Sequence, residues 1–148
     1  MFEHLYAYPA RLVPQADGSV LVRFPDLPEA VTDGADQREA MAQASDCLSE
    51  APAGRINRGE DIPPPGRPRR GSHLVAPDPT MALKAAIYAA LRSRRLTVAE
   101  LARRLDIDRR QAARLVDPRS PSKLTSLEAA LGVLGYAIAI AVDEKPAA

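Results

Sequence analysis

The segment from Leu96 to Asp117, LTVAELARRLDIDRRQAARLVD, narrows the possible folds more than any other stretch of the chain. Thr97 followed by Glu100 forms a capping box, the reciprocal pair that satisfies the first free amides of a helix. Leu101 and Leu105 recur at the spacing of one helix face, and Ala102 is small enough to let a second helix cross closely. Ile107 plugs the corner. Asp108 can cap the next helix, whose inner face is Ala112, Leu115 and Val116. Two short helices packed in this way follow the grammar of a helix-turn-helix. The corner position, commonly glycine, is Asp106, and aspartate tolerates left-handed backbone better than most residues.

The outer face of that second helix is cationic. Arg109, Arg110 and Gln111 fall in its first turn, where a helix entering the major groove of DNA meets base edges, and Arg114 lies one turn later. Arg103, Arg104, Arg119 and Lys123 are placed on or beside the phosphate backbone, and Thr97 joins the candidate DNA-contacting set. Basic amphipathic helices can also be merely solvated, but here capping, spacing and charge agree.

The charge distribution points the same way. Residues 1–61 hold 5 basic and 11 acidic residues, whereas residues 81–128 hold 11 basic and 5 acidic. That division, hidden inside a formal net charge of +1, predicts two partners of opposite sign: a polyanion for the second half and a basic protein for the first. The acidic loops around Asp26, Glu29, Asp33, Asp36 and Glu39 are the candidate protein-facing surface, although such a face can also simply be solvated.

The first half reads as strands and one helix. Tyr6 to Val13 is apolar and aromatic, Asp17-Gly18 supplies a turn, and Val20, Val22 and Phe24 alternate with Leu21 and Arg23, which together signal a hairpin. The tract from Pro25 to Glu29 is a loop, a short strand follows near Ala30 to Thr32, and Gly34 permits a turn. Ala40, Met41, Ala44, Cys47 and Leu48 mark a helix face from Gln37 to Ser49, capped by Asp36, and Pro52 with Gly54 is expected to end or kink it. Residues 62–71 form a proline-rich excursion, after which His73 to Ala76 can return to the sheet. The domain boundary falls near Pro77 to Pro79, giving expected domains of residues 1–76 and 80–148. Leu83, Ala86, Ile87, Ala90 and Leu91 mark a further amphipathic helix. Helical signals continue to Leu134, and Tyr136 to Val142 reads as one isolated strand that needs a second copy of the chain as its partner.

Several function classes are disfavoured. No run of 18 or more apolar residues exists, and Met1 to Ala10 lacks the pattern of a signal peptide, so a cytoplasmic location without membrane contact is expected. Cys47 is the single cysteine and lies on the apolar face of its helix, while His4 and His73 each flank a strand; no cofactor, metal or disulfide is expected. Asp17, Asp26, Asp33 and Asp36 fall in turns or at a cap, so no nuclease centre and no catalytic residue is expected.

With these elements placed, the chain resembles the HicB antitoxin family. The resemblance runs through Tyr8-Pro9-Ala10-Arg11, Asp17-Gly18-Ser19-Val20, and Phe24-Pro25-Asp26-Leu27-Pro28-Glu29-Ala30 with Thr32 and Gly34. It continues through Glu39-Ala40, Gly59-Glu60-Asp61-Ile62-Pro63, Ala85 to Leu91, and Leu124 to Leu131. It implies an α+β chain: a partial RNase H-like domain of small sheet plus helix, without nuclease activity, then an all-helical helix-turn-helix domain with a C-terminal strand. It further implies that the first domain binds a HicA-type toxin, a small basic RNA-cleaving protein, and that the complex represses its own operon. Asp108 to Val116 would inherit the operator contacts. The C-terminal strand would inherit assembly into a homodimer or higher even oligomer. Asp26, Leu27, Glu29 and Asp33 are the candidate toxin-facing residues, chosen on electrostatic grounds. The alternative is a stand-alone transcriptional regulator whose first domain senses a ligand or another protein.

Overall fold

A computed structural model describes residues 6–144. His4 lies outside them. Four strands and five helices are present among the described residues: β1 (Tyr8–Pro14), β2 (Val20–Arg23), β3 (Val31–Gly34), α1 (Gln37–Arg58), β4 (His73–Val75), α2 (Pro79–Ser93), α3 (Val98–Leu105), α4 (Arg109–Arg114) and α5 (Leu124–Val133). The strands form one antiparallel sheet in the order β3-β2-β1-β4.

The β1–β2 hairpin is closed by Asp17, whose Oδ1 accepts from the Ser19 amide at 3.0 Å and the Ser19 hydroxyl at 2.6 Å, with Gly18 at φ +90°. Strand alternation then sends Tyr8, Ala10 and Leu12 to one face, together with Val20, Val22 and Val75. Phe24, Leu27 and Ala30 and the α1 residues Ala40, Ala44, Leu48 and Ala51 complete this core. The alanines let α1 lie close against the sheet. Gly34 serves that approach rather than a turn: a Cβ there would lie 2.2 Å from the Ala40 backbone nitrogen. The first strand starts two residues later than its apolar run, and the third lies one residue later than expected, because ladder pairing sets these ends.

The expectation that α1 stops or bends at Pro52 is corrected in part: the helix does not stop there but continues to Arg58. A proline inside a helix lacks one amide and crowds the preceding turn, at a cost of about 3 kcal/mol. Pro52 is buried, however, and the helix is held beyond it by its own end. Gly59, at φ +68°, donates to Ile56 O at 3.1 Å, and Glu60 donates to Arg55 O at 2.9 Å. This is a Schellman closure, so the true stop signal is Gly59.

Beyond it, residues 60–72 form an irregular strap. Tyr8 Oη donates to Pro63 O at 2.7 Å and the Gly66 amide donates to Asp26 Oδ2 at 2.9 Å, pinning the strap to the sheet. The strap delivers β4 to the free edge of β1, pairing Tyr8 with Val75 and Ala10 with His73.

A second core follows, built from Ile87 and Leu91 of α2, Leu101 of α3, Leu115, and Leu127 and Leu131 of α5 with Leu134. The two cores meet along α1 and α2. There Ser49 Oγ accepts from the Asp78 amide at 2.8 Å, Tyr88 Oη donates to Glu60 O at 2.8 Å, and Arg92 Nε meets Asp61 at 2.5 Å. Tyr136 to Val142, expected to be a strand paired with a second copy, are irregular in the single chain and join none of the four described strands, since a strand exists only by pairing. Tyr136 and Ile138 rest on the second core, while Ile140 and Val142 are 75% and 90% exposed.

Candidate nucleic-acid interface

Helices α3 and α4 are each fixed by reciprocal caps. The Glu100 amide donates to Thr97 Oγ1 at 3.2 Å and the Thr97 amide donates to Glu100 Oε2 at 2.6 Å. At α4 the Gln111 amide donates to Asp108 Oδ1 at 2.7 Å, and the Asp108 amide reaches Gln111 Oε1 at 3.4 Å. The sequence reading identified the first box and the Asp108 cap but not the return bond from Gln111. Between the helices Asp106 adopts φ 54°, ψ 46°, with Asp106 N donating to Arg103 O at 3.2 Å and Ile107 N to Ala102 O at 3.0 Å. Aspartate thus performs the left-handed closure usually left to glycine. Leu101 and Ala112 are fully buried at the crossing.

The residues expected to meet DNA divide into two groups. Arg109, Arg110 and Arg114 are exposed on α4 and form no ion pair among the described residues. Arg104, Arg119 and Lys123 are also exposed, and Arg103 lies 4.0 Å from Glu100. Thr97 and Gln111 instead turn polar atoms inward to their own helix caps. Glu100 is held below the usual glutamate range by its hydrogen bonds from Thr97, backbone first, with Arg103 and Arg104 adding charge attraction.

The sequence reading missed Lys84. It sits on α2 and is 1% exposed, and its Nζ donates to Arg114 O at 2.9 Å, to Asp117 O at 2.6 Å and to Ser120 O. A buried ammonium therefore gathers the carbonyls that end α4 and shape the turn after it, where the helix dipole favours positive charge. Burial lowers its pKa, opposed by the Asp117 carboxylate. The available signal was its register: Lys84 stands three residues before Ile87 and seven before Leu91, on the apolar stripe.

On the first half, the candidate partner-facing residues separate. Leu27 is corrected: its side chain is 0% exposed within the first core and cannot face a partner. Asp26 anchors the strap through Gly66. Glu29 takes Arg55 Nε at 2.5 Å and Nη2 at 3.0 Å, and this pairing holds its carboxyl below the usual range. Asp36 and Glu39 cap and brace the start of α1. Asp33 is exposed at the sheet edge. Burial, followed by Glu50, pushes the Cys47 thiol up, away from nucleophilic behaviour. Among the described residues no three acidic, histidine or cysteine side chains gather as metal ligands, and no helix is long and apolar enough to cross a membrane.

Comparison with known proteins finds relatives of this sequence. A family model described as HicB_like antitoxin of bacterial toxin-antitoxin system matches residues 7–86. Antitoxin HicB 1 of Photorhabdus laumondii is 30% identical over 92% of this chain and 86% of its own length. Antitoxin HicB of Escherichia coli K12 is 30% identical over 90% of this chain and 96% of its own. Antitoxin HicB of Pseudomonas fluorescens is 32% identical over 97% and 95% respectively.

Proposed function

The chain belongs to the HicB-like antitoxin family of bacterial toxin-antitoxin systems, and from that premise we propose that it neutralises a HicA-type mRNA-cleaving toxin and represses its own operon. Inhibition is by occlusion: the fold of residues 1–76, read as a partial RNase H-like domain, covers the toxin's RNA-binding or catalytic surface. The chain acts by binding, without catalysis or cofactor, in the cytoplasm.

Repression belongs to residues 80–148. Helices α3 and α4 act as a helix-turn-helix with α4 in the major groove. The observation that carries this reading is the trio Arg109, Arg110 and Arg114, exposed and without carboxylate partners among the described residues, on a helix capped at its start and clamped at its end. Arg104, Arg119 and Lys123 supply contacts to phosphates, with Arg103 beside them. Asp33 is the acidic residue of the expected toxin-facing set whose side chain stays outward and uncommitted. Two copies joined through Tyr136 to Val142, each tail acting as a strand for the other, would present two α4 helices to half-sites about one helical turn apart.

Co-expression with any adjacent reading frame for a small basic protein tests the first role. The expected result is rescued growth and co-purification of the two chains; a toxic neighbour that this chain neither rescues nor binds overturns it. Binding of the full chain to the DNA upstream of its operon, above its binding to random duplex, tests the second.

A further inference from the structure

On the side of the sheet away from α1 lies a surface whose arginines have been given a part in neither proposed role. Arg11 of β1 and Arg23 of β2 stand directly across from each other in the ladder, both exposed. Like charges in that position repel and weaken the pairing. Beside them the strap brings Arg67, Arg69 and Arg70, also exposed, and these three line one open cleft of about 610 Å³ with Arg11. Two other arginines of the same half have acidic partners, Arg55 with Glu29 and Arg58 with Glu60, while Arg38 on α1 has none among the described residues. Among the described residues none of the five on this surface does. The carboxylate that lines the cleft, Asp26, already accepts from Gly66.

The arginines are presented rather than dispersed. The strap is tied at Pro63 by Tyr8 and at Gly66 by Asp26, and Arg69 O accepts from the Ser72 amide at 2.9 Å and the Ser72 hydroxyl at 2.6 Å. Pro68 fixes the backbone between Arg67 and Arg69. Four guanidiniums around a fixed cleft suit phosphate, which each can take in a two-pronged hydrogen bond. We propose that this cleft binds single-stranded nucleic acid through its backbone phosphates. A concave cleft admits a flexible single strand, whereas a duplex offers it a stiff convex surface. No aromatic side chain lines the cleft, so bases are not stacked and recognition is indifferent to sequence.

The experiment uses the full chain carrying R109A/R110A/R114A, which removes the α4 arginines and makes the outcome independent of the operator reading. Fluorescence anisotropy follows its binding to labelled single strands of RNA and of DNA, and to a duplex of the same sequence, across a salt series. Binding to a single strand is expected, with log affinity falling against log salt at a slope of about −3, from about 0.7 per phosphate over four arginines. Adding R67A/R69A/R70A is expected to reduce that slope to about −0.7 and to weaken binding at least tenfold at low salt. The melting temperature should stay unchanged, because those side chains hold nothing else. Binding of RNA alone or of DNA alone supports the proposal and adds a sugar preference. No binding to single strands in dilute salt, unchanged affinity in the added triple variant, tighter binding of the duplex, or equal competition by an acidic peptide would each overturn it.

Discussion

Arg109 and Arg110 stand in the first turn of a capped helix, exposed to solvent and with no ion-pair partner among the described residues. Arg109→Ala or Arg110→Ala is expected to cost about 1–3 kcal/mol of operator binding and to relax base preference, read as affinity for operator against random duplex. Equal losses on both would assign these side chains to phosphates alone. Lys84 acts at the opposite end of the same helix. Lys84→Met leaves three carbonyls without their shared donor, so a stability loss of about 1–3 kcal/mol in urea denaturation is expected. Operator binding should fall more than random-duplex binding in that variant, because α4 shifts while its phosphate-facing charges remain. The exposed arginines were legible because their positions follow from the caps. Lys84 was not, because lysine on a helix ordinarily runs its stem along apolar surface and leaves its charge in water; only the three convergent carbonyls, distant in sequence, keep it inside. Leu27 was misread for the converse reason, since its acidic neighbours in the loop concealed that its own side chain points into the core.

Among the elements, α1 shows how a local signal yields to tertiary packing. Pro52 is a sound stop signal in isolation, and the apolar recurrence that ends at Leu48 agreed with it. What extends the helix lies further along: the Schellman closure at Gly59 and the Arg55 side chain, which reaches Glu29 and Asp61 O. Pro52→Ala should restore an amide and raise the melting temperature, with a gain of up to about 3 kcal/mol, less what the vacated ring volume removes. The hairpin, the return of β4 and the α3–α4 corner were readable because each rests on turn or cap chemistry confined to a few residues. The tail was not readable as it stands, since alternation in Tyr136 to Val142 records a strand's face without recording where its partner is. Sedimentation tests that point: full-length chain is expected to be dimeric or a higher even oligomer, and a chain ending at Gly135 monomeric.

Across the whole molecule, carboxylates with depressed pKa values recur at the joints: Glu29 through its hydrogen bond with Arg55, Glu100 through the Thr97 amide, and Asp117 through the Arg119 amide. Each binds its proton less readily folded than unfolded, so its contribution is complete above the ordinary glutamate value of 4.5 and is lost as pH falls through the lower folded value. Thermal melts taken from about pH 7 down to about pH 3 should therefore show little change until about pH 4.5 and a gradual decline below it, modest because these carboxylates are largely exposed. The acidic first half also proves less uniform than its net charge suggests, for several of its acids serve caps and anchors while Arg11 and Arg23 stand with Arg67, Arg69 and Arg70 of the strap on the far face of the sheet. The strap has one more consequence. It is exposed chain without regular hydrogen bonding, the kind of backbone proteases enter first, and β4 beyond it is held by only three residue pairs. A single nick between Gly66 and Gly71 severs the covalent link between the two cores and leaves β4 and the contacts of α1 with α2 to hold them together, so on the proposed reading one cleavage would let the toxin-binding half part from the DNA-binding half.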